Sequence, residues 1–115
     1  MEEYMSINLI YITAGDIEEA RALGKALVSE RLVACVNIID NIHSIYWWEG
    51  KIQDDGEVII IAKTKKSLVA ELIEKVKSMH NYDCPCVVSL PIVDGNKEFL
   101  GWVEKETRPG KPDHH

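Results

Sequence analysis

Basic residues, cysteines and long apolar runs are all scarce in this chain of 115 residues. Its 13 Lys and Arg stand against 19 Asp and Glu, for a formal net charge of -6 at pH 7. This balance argues against nucleic-acid binding, which depends on clustered basic residues. The longest apolar stretches, such as Val58 to Ala62, fall far short of the roughly 20 residues that span a bilayer. We therefore expect neither a nucleic acid nor a membrane as a partner.

The motifs of common enzymes and of secreted proteins are also missing from the sequence. It contains no Gly-rich phosphate loop and no His-Glu-x-x-His helix, and the nearby Ser78, His80 and Asp83 do not by themselves make a triad. The chain opens Met1-Glu2-Glu3 without the features of a signal peptide, and its 3 cysteines indicate no disulfide framework. We expect a cytoplasmic, soluble, non-enzymatic protein with reduced thiols.

Apolar periodicity predicts the element order β-α-β-β-α-β, followed by a short helix. Asp16 and Glu19 resemble a capping box at the first helix, and Glu49-Gly50 reads as a tight hairpin turn. Glu71 and Lys75 have the spacing of an i,i+4 ion pair within the second helix. Strands are predicted over residues 6–14, 33–48 with an interruption at 40–41, 51–64 and 86–93, and helices over 17–30, 68–79 and a short segment around Phe99, Leu100 and Val103.

This order predicts an α+β fold, a ferredoxin-like βαββαβ sandwich with a long β-hairpin and a short C-terminal helix. Right-handed crossovers place both helices on one face of an antiparallel sheet, with the first and third strands at its centre. We expect a single domain over residues 1–106 and a polar tail over 107–115. His114-His115 has the character of a tag remnant and is excluded from the argument.

The central strands predict association with further copies. Val58 to Ala62 and Leu9 to Ile12 are apolar on both faces, whereas helices can cover only one face of the sheet. A monomer would expose a large apolar surface, and the long hairpin reaches beyond its own domain. Both features predict a closed oligomer built through the sheet.

Several segments together resemble the divalent-cation tolerance protein family, CutA. The resemblance covers roughly residues 6 to 106, and its most specific part is Tyr46-Trp47-Trp48-Glu49-Gly50-Lys51. It implies a ferredoxin-like homotrimer similar in architecture to the PII signalling proteins, with a role in tolerance of metal ions. The other matching segments are Leu32 to Ile38, Lys63-Thr64, His80-Asn81-Tyr82, Leu90-Pro91-Ile92, Gly95-Asn96 and Phe99 to Trp102.

The resemblance also implies where a metal is held. Some family members use a Cys at the end of the first strand and two consecutive His at the end of the second helix for copper. The matching positions here are Ile12, Met79 and His80, so only His80 is retained. Met79 suits a soft Cu(I) ion, and Ile12 cannot bind a metal.

Cys84-Pro85-Cys86 follows His80 closely and adds two soft ligands. We therefore predict copper or another divalent cation at His80, Met79, Cys84 and Cys86. The alternatives are that one Cys faces the core while the other lies in a loop, and that His80 is a helix C-terminal cap. Cys35, inside an apolar run, is predicted to be a core residue.

A second hypothesis is a PII-like signalling or scaffold trimer that binds a small metabolite or a partner protein. The resemblance places Glu57 and Lys63 in the cleft between subunits, near His80 and Tyr82, and an ordinary charge pair at the sheet margin is the alternative. We assign this inter-subunit cleft to Glu57, Lys63, Tyr82 and Trp102. The aromatic residues are otherwise expected to anchor subunit contacts, namely Tyr46, Trp47, Trp48 and Trp102.

Overall fold

A computed structural model of the chain describes residues 6–82 and 84–110. The chain start, Asp83 and the His114-His115 pair, on which predictions were made above, lie outside the described residues. The elements follow the predicted order: β1 (Ile7–Ala14), α1 (Ile17–Ser29), β2 (Cys35–Trp48), β3 (Lys51–Lys65), a single 3-10 turn (Lys66–Leu68), α2 (Val69–Met79), β4 (Val87–Pro91) and α3 (Lys97–Glu106).

The four strands form one antiparallel sheet in the order β2-β3-β1-β4, so the first and third strands are central as predicted. Alternate residues of β1 and β3 face α1 and α2, because side chains in a strand point to opposite faces. These residues make the core together with one stripe from each helix. Its members include Ile10, Ile12, Val58, Ile60, Ala62, Leu23, Leu27, Leu72 and Val76.

The predicted cap at the start of α1 is confirmed, with the returning bond of Glu19 made to Gly15, one residue before the N-cap Asp16. The Asp16 side chain accepts a hydrogen bond of 2.8 Å from the backbone N–H of Glu19. The Glu19 carboxylate in turn accepts one of 2.9 Å from the backbone N–H of Gly15. Two backbone donors at the helix start are thereby satisfied, and Glu19 is held beside the segment that follows α2.

The long hairpin of β2 and β3 has one irregularity and one tight turn. β2 continues through the predicted interruption, and its register against β3 shifts between Ile39 and Ile42. Asn41 has φ 66° there, a conformation that Asn tolerates better than most residues. Glu49 and Gly50 both have positive φ, 51° and 79°, as a two-residue hairpin turn requires.

Three details of the sequence prediction are wrong. Glu71 and Lys75 do not pair within α2, because each has a partner from another part of the chain: Glu71 bonds Arg108 at 2.6 Å, and Lys75 bonds Glu30 at 2.7 Å. Cys35 is half-buried rather than a core residue, because β2 lies at the edge of the sheet. The fourth strand is also shorter than predicted, at Val87–Pro91.

Large apolar side chains are exposed on the distal hairpin and on β4, whereas the outward-facing residues of the central strands are half-buried, namely Leu9, Tyr11, Ile59 and Ile61. Trp47 is 71% exposed and Ile45 69% exposed. Ile52, Val88 and Leu90 are also exposed. Among the described residues, no helix has both the length and the apolar character needed to cross a membrane.

Candidate functional site

A groove of about 840 Å³ lies where the hairpin, β1 and the segment after α2 meet. Tyr11 and Thr13 reach it from β1, on the opposite face from the core residues. The strand alternation that buries Val58 places Asp55 and Glu57 together on the groove side of β3. The remaining lining residues are His43, Ser44, Ile45, Tyr46, Trp48, Gln53, Tyr82, Cys84 and Cys86.

Glu57 and Tyr82 form the central polar contact of the groove. The Tyr82 hydroxyl donates a hydrogen bond of 2.9 Å to Oε2 of Glu57, whose residue is only 8% exposed. Burial, followed by this hydrogen bond and the negative charge of Glu57, raises the pKa of Tyr82 to about 12. Tyr82 is therefore a neutral hydrogen-bond donor at neutral pH.

A second tyrosine–carboxylate pair lies across the hairpin. The Tyr46 hydroxyl donates a hydrogen bond of 2.7 Å to Oδ2 of Asp55. Tyr46 faces Gln53 in the strand register, so Asp55 is its diagonal neighbour, within reach of a long aromatic side chain. The hydrogen bond to Asp55 is the main cause that raises the pKa of Tyr46. Both carboxylates of the groove are thus bonded to a phenol.

His80 holds the segment that carries Tyr82. Its side chain is fully buried, and Nε2 lies 2.7 Å from the backbone oxygen of Thr13. Nδ1 accepts a hydrogen bond of 3.0 Å from the backbone N–H of Tyr82, so the proton of the neutral ring is on Nε2. Glu19 lies 3.6 Å from Nδ1 and also accepts 2.8 Å from the N–H of Asn81. Both ring nitrogens of His80 therefore bond to the protein itself.

The other predicted metal ligands occupy two different environments. Cys84 and Cys86 are both exposed and both line the groove, so neither faces the core. Met79, by contrast, packs against the hydrophobic core. Within the described ranges, no group of three or more His, Cys, Asp or Glu side chains is placed to hold a metal ion. The four-residue metal site stays a prediction.

Of the predicted cleft residues, two line the groove and two lie outside it. Glu57 and Tyr82 are in direct contact, whereas Lys63 and Trp102 do not line this groove of the protomer. Lys63 donates a hydrogen bond to Asn37, and Trp102 packs against Phe99 with ring centroids 5.6 Å apart. Their assignment to a cleft between subunits stays a prediction, since the structure describes one protomer.

The sequence analysis singled out Glu57 and Tyr82 of this lining as cleft residues and Tyr46 and Trp48 as subunit anchors, but it missed Asp55 and Tyr11. Asp55 and Glu57 alternate with residues of the opposite face, and this spacing alone could have indicated two carboxylates on one side of β3. Tyr11 carried a weaker signal, as the one aromatic residue of the strand Ile7–Ala14. No sequence signal of this kind pointed to His43, Ser44 or Gln53.

The fold and groove define an α+β protein of the ferredoxin-like class, with an acidic and aromatic groove on the open side of its sheet. The CutA1 divalent ion tolerance protein family matches residues 8–106. The chain belongs to this family.

Individual relatives agree with that assignment. The divalent-cation tolerance protein CutA of Archaeoglobus fulgidus is 47% identical over 98 residues, which are 85% of this chain and 95% of the relative. The chloroplastic protein CutA 1 of rice is 46% identical over 87% of this chain, which spans only 56% of the rice protein. A crystal structure of CutA1 from Oryza sativa, 45% identical, superposes with a TM-score of 0.88 and covers 90% of this chain and 94% of the rice chain.

Proposed function

We propose that this protein acts in tolerance of divalent cations as a cytoplasmic homotrimer that binds copper or another transition metal without catalysing a reaction. The observation that carries the proposal is the position of two thiols, Cys84 and Cys86, exposed at the groove that also holds two carboxylates. Its proposed partners are two further copies of the same chain and metal ions, and we propose neither a nucleic acid nor a membrane as a partner.

The thiols are better placed than His80 to capture a metal. Thiolates are preferred ligands of Cu(I) and Zn(II), and both cysteines are open to solvent. His80 would have to give up its hydrogen bond from the Tyr82 N–H before Nδ1 could bind a metal. Two thiolates leave a tetrahedral ion incompletely coordinated, so water or a neighbouring subunit would complete the set.

The hairpin supports the trimer. Large apolar side chains are exposed along it, with Trp47 and Ile45 the most open. Exposed apolar patches of this kind are covered by association in soluble proteins. Light scattering at micromolar concentration is expected to give the mass of three chains, and a monomeric mass would contradict the proposal.

Metal binding is tested by titrating the reduced protein with Cu(I) and with Zn(II) at about 0.15 M salt, where diffuse attraction to an acidic protein is largely screened. We expect saturation at a whole-number stoichiometry per trimer. The variant with both Cys84→Ser and Cys86→Ser should lose it, whereas Cys35→Ser, the matched control, should keep it. Equal binding by all three proteins would reject the thiol site.

A second candidate function is that of a PII-like trimer that senses a small metabolite. The size of the groove favours it, since about 840 Å³ is within the range of small-molecule sites. The paired phenols and carboxylates also resemble the few fixed polar groups that orient a ligand in such sites. Binding of a metabolite by the variant without Cys84 and Cys86 would separate this function from metal capture.

A further inference from the structure

The chain contains two Asp-Gly pairs, and the fold places them in opposite surroundings. Asp55-Gly56 lies inside the long strand β3, whereas Asp94-Gly95 lies in the irregular segment between β4 and α3. An aspartate followed by glycine is the point at which a protein backbone isomerises most readily, because glycine has no Cβ to hinder attack by its own nitrogen on the preceding side chain. The local structure decides which of the two pairs can react.

At Asp94 the side-chain carboxyl lies against the nitrogen that would attack it. Oδ1 of Asp94 accepts a hydrogen bond of 2.8 Å from the backbone N–H of Gly95. Because Oδ1 is bonded directly to Cγ, the carbon that would be attacked is the next atom along. No other hydrogen bond or ion pair from a described residue holds this carboxylate. Ring closure between the two groups therefore displaces no other partner.

The segment around Asp94 can change its backbone geometry without disturbing the sheet or α3. Ile92, on one side, donates its backbone N–H to β1, and Asn96, on the other side, caps α3. Between these two anchors Val93 is 94% exposed, and Asp94 and Gly95 are also exposed. Exposed irregular segments have the backbone freedom that ring closure requires.

The pair in β3 has neither a free carboxylate nor a free backbone. The carboxylate of Asp55 accepts a hydrogen bond of 2.7 Å from the Tyr46 hydroxyl, and Gly56 faces His43 in the ladder with β2. A strand also directs its side chains away from the plane of the sheet, and so away from the following peptide nitrogen. Reaction at Asp55 would have to break a hydrogen bond to a charged group, which slows a rate roughly 10-fold or more.

We propose that Asp94 is a site of isoaspartate formation and that Asp55 is not. The nitrogen of Gly95 attacks Cγ of Asp94 and closes a succinimide ring, while its proton leaves with one carboxyl oxygen and a solvent proton as water. Hydrolysis of either ring carbonyl takes one water back and gives aspartate or isoaspartate. The reaction consumes nothing else. It goes beyond the proposed function, because neither the groove nor its thiols take part.

The product has a defined structure and a defined class of partner. The main chain at Asp94 would run through the side-chain carbon, which adds one methylene group two residues before the N-cap Asn96, and the free carboxylate would lie on Cα. The net charge stays the same, so only the local geometry changes. An isoaspartyl α-carboxylate is the group that carboxyl methyltransferases dependent on S-adenosylmethionine recognise, and the modified chain would be a substrate of that class of enzyme.

The test is a long incubation of the intact, folded protein at neutral pH, followed by digestion and mass spectrometry. Isomerisation leaves the mass unchanged, so the isoaspartyl peptide is identified by its chromatographic retention and by electron-transfer fragmentation of its altered backbone. We expect isoaspartate to accumulate at Asp94 at least about 10-fold faster than at Asp55 in the same sample. Methyl transfer from labelled S-adenosylmethionine measures the same product independently.

Three variants locate the reaction. A Cβ at Gly95 would make only ordinary contacts, the nearest at 3.5 Å from Cδ1 of Leu100, so Gly95→Ala should keep the fold while isomerisation falls towards the level at Asp55. Asp94→Glu lengthens the side chain, so it cannot close the same ring and should abolish the product. Gly101→Ala on α3 leaves both pairs intact and should isomerise like the original protein.

Two results would overturn the proposal. Equal accumulation at Asp94 and Asp55 in the folded protein would show that the Asp-Gly sequence alone sets the rate. Absence of isoaspartate at Asp94 in the folded protein, together with its formation there in urea, would show that the folded assembly shields the segment.

Discussion

The hydroxyl of Tyr82 donates a hydrogen bond of 2.9 Å to Oε2 of Glu57, a residue 25 positions away in the sequence. This contact joins the segment after α2 to the middle of β3 and closes one side of the groove. It also couples the proton of the phenol to the charge of the carboxylate, because ionising Tyr82 would place two negative charges within hydrogen-bond distance.

Titration of the phenols is the first prediction. Tyr82 should ionise with a pKa of about 12 in place of the ordinary 10.0. Glu57→Gln removes the charge and weakens the hydrogen bond, so the pKa should fall, although burial keeps it above the ordinary value. Ultraviolet absorbance of phenolate against pH measures both, and Tyr82→Phe should delete this late step from the curve.

The same shift predicts how stability depends on alkaline pH. The pKa is higher in the folded chain than in the unfolded chain, so the phenol's contribution is complete below pH 10 and is lost as the pH rises to about 12. Urea unfolding across this window should show a smaller decline for Tyr82→Phe than for the original protein. An identical decline would contradict the assignment.

The sheet could be predicted because its signals are local. The continuous apolar run from Val58 to Ala62 marked a central strand, and Glu49-Gly50 marked the turn that sets the register of the hairpin. The Glu71 pairing was wrong because Arg108, 37 residues away, makes the stronger contact. The i,i+4 spacing considers only residues of one helix, so it cannot show that a residue from another element will pair with Glu71 instead.

The groove was harder to predict because it depends on contacts between distant segments. Cys84, Cys86, Glu57 and Tyr82 were singled out by resemblance or residue type, and the structure brings all four to one groove. His80 was predicted as a ligand, with a helix C-terminal cap as the alternative; the structure places it at the C-cap of α2, with Nε2 beside the backbone oxygen of Thr13, 67 residues away. No pattern along the chain predicts that a histidine will be buried by such a partner.

Replacing His80 should destabilise the fold. His80→Ala leaves the Tyr82 N–H without its acceptor and opens space beside Thr13, which predicts a loss of about 2–4 kcal/mol in the free energy of unfolding. The exposed His43 is the matched control, and His43→Ala should stay within about 0.5 kcal/mol. Urea denaturation measures both, and equal losses would contradict a structural role for His80.

The ion pair of Arg108 and Glu71 can be measured by a double-mutant cycle. Their charged atoms lie 2.6 Å apart, but the side chains are 40% and 22% exposed, so screening reduces the coupling to about 0.5 kcal/mol. The cycle of Glu71→Gln with Arg108→Gln should give this coupling in urea unfolding. The cycle of Glu71→Gln with Lys75→Gln should give almost no coupling. A larger coupling of Glu71 with Lys75 than with Arg108 would contradict the structure and support an ion pair within α2.

Two helical glycines should respond oppositely to alanine. A Cβ at Gly101 on α3 meets nothing within 4 Å, so Gly101→Ala should raise the free energy of unfolding by about 0.5–1 kcal/mol through the lower entropy of the unfolded chain. A Cβ at Gly24 on α1 would lie 3.1 Å from Cγ2 of Val36, so the Val36 side chain would have to shift by a few tenths of an ångström against the core on which it packs. Gly24→Ala should therefore lower stability by about 1 kcal/mol, in the range of overpacked cores. Thermal and urea unfolding of the two variants measure this difference. A stabilising effect of Gly24→Ala would contradict the prediction, because the helical propensity of alanine would then outweigh the close contact with Val36.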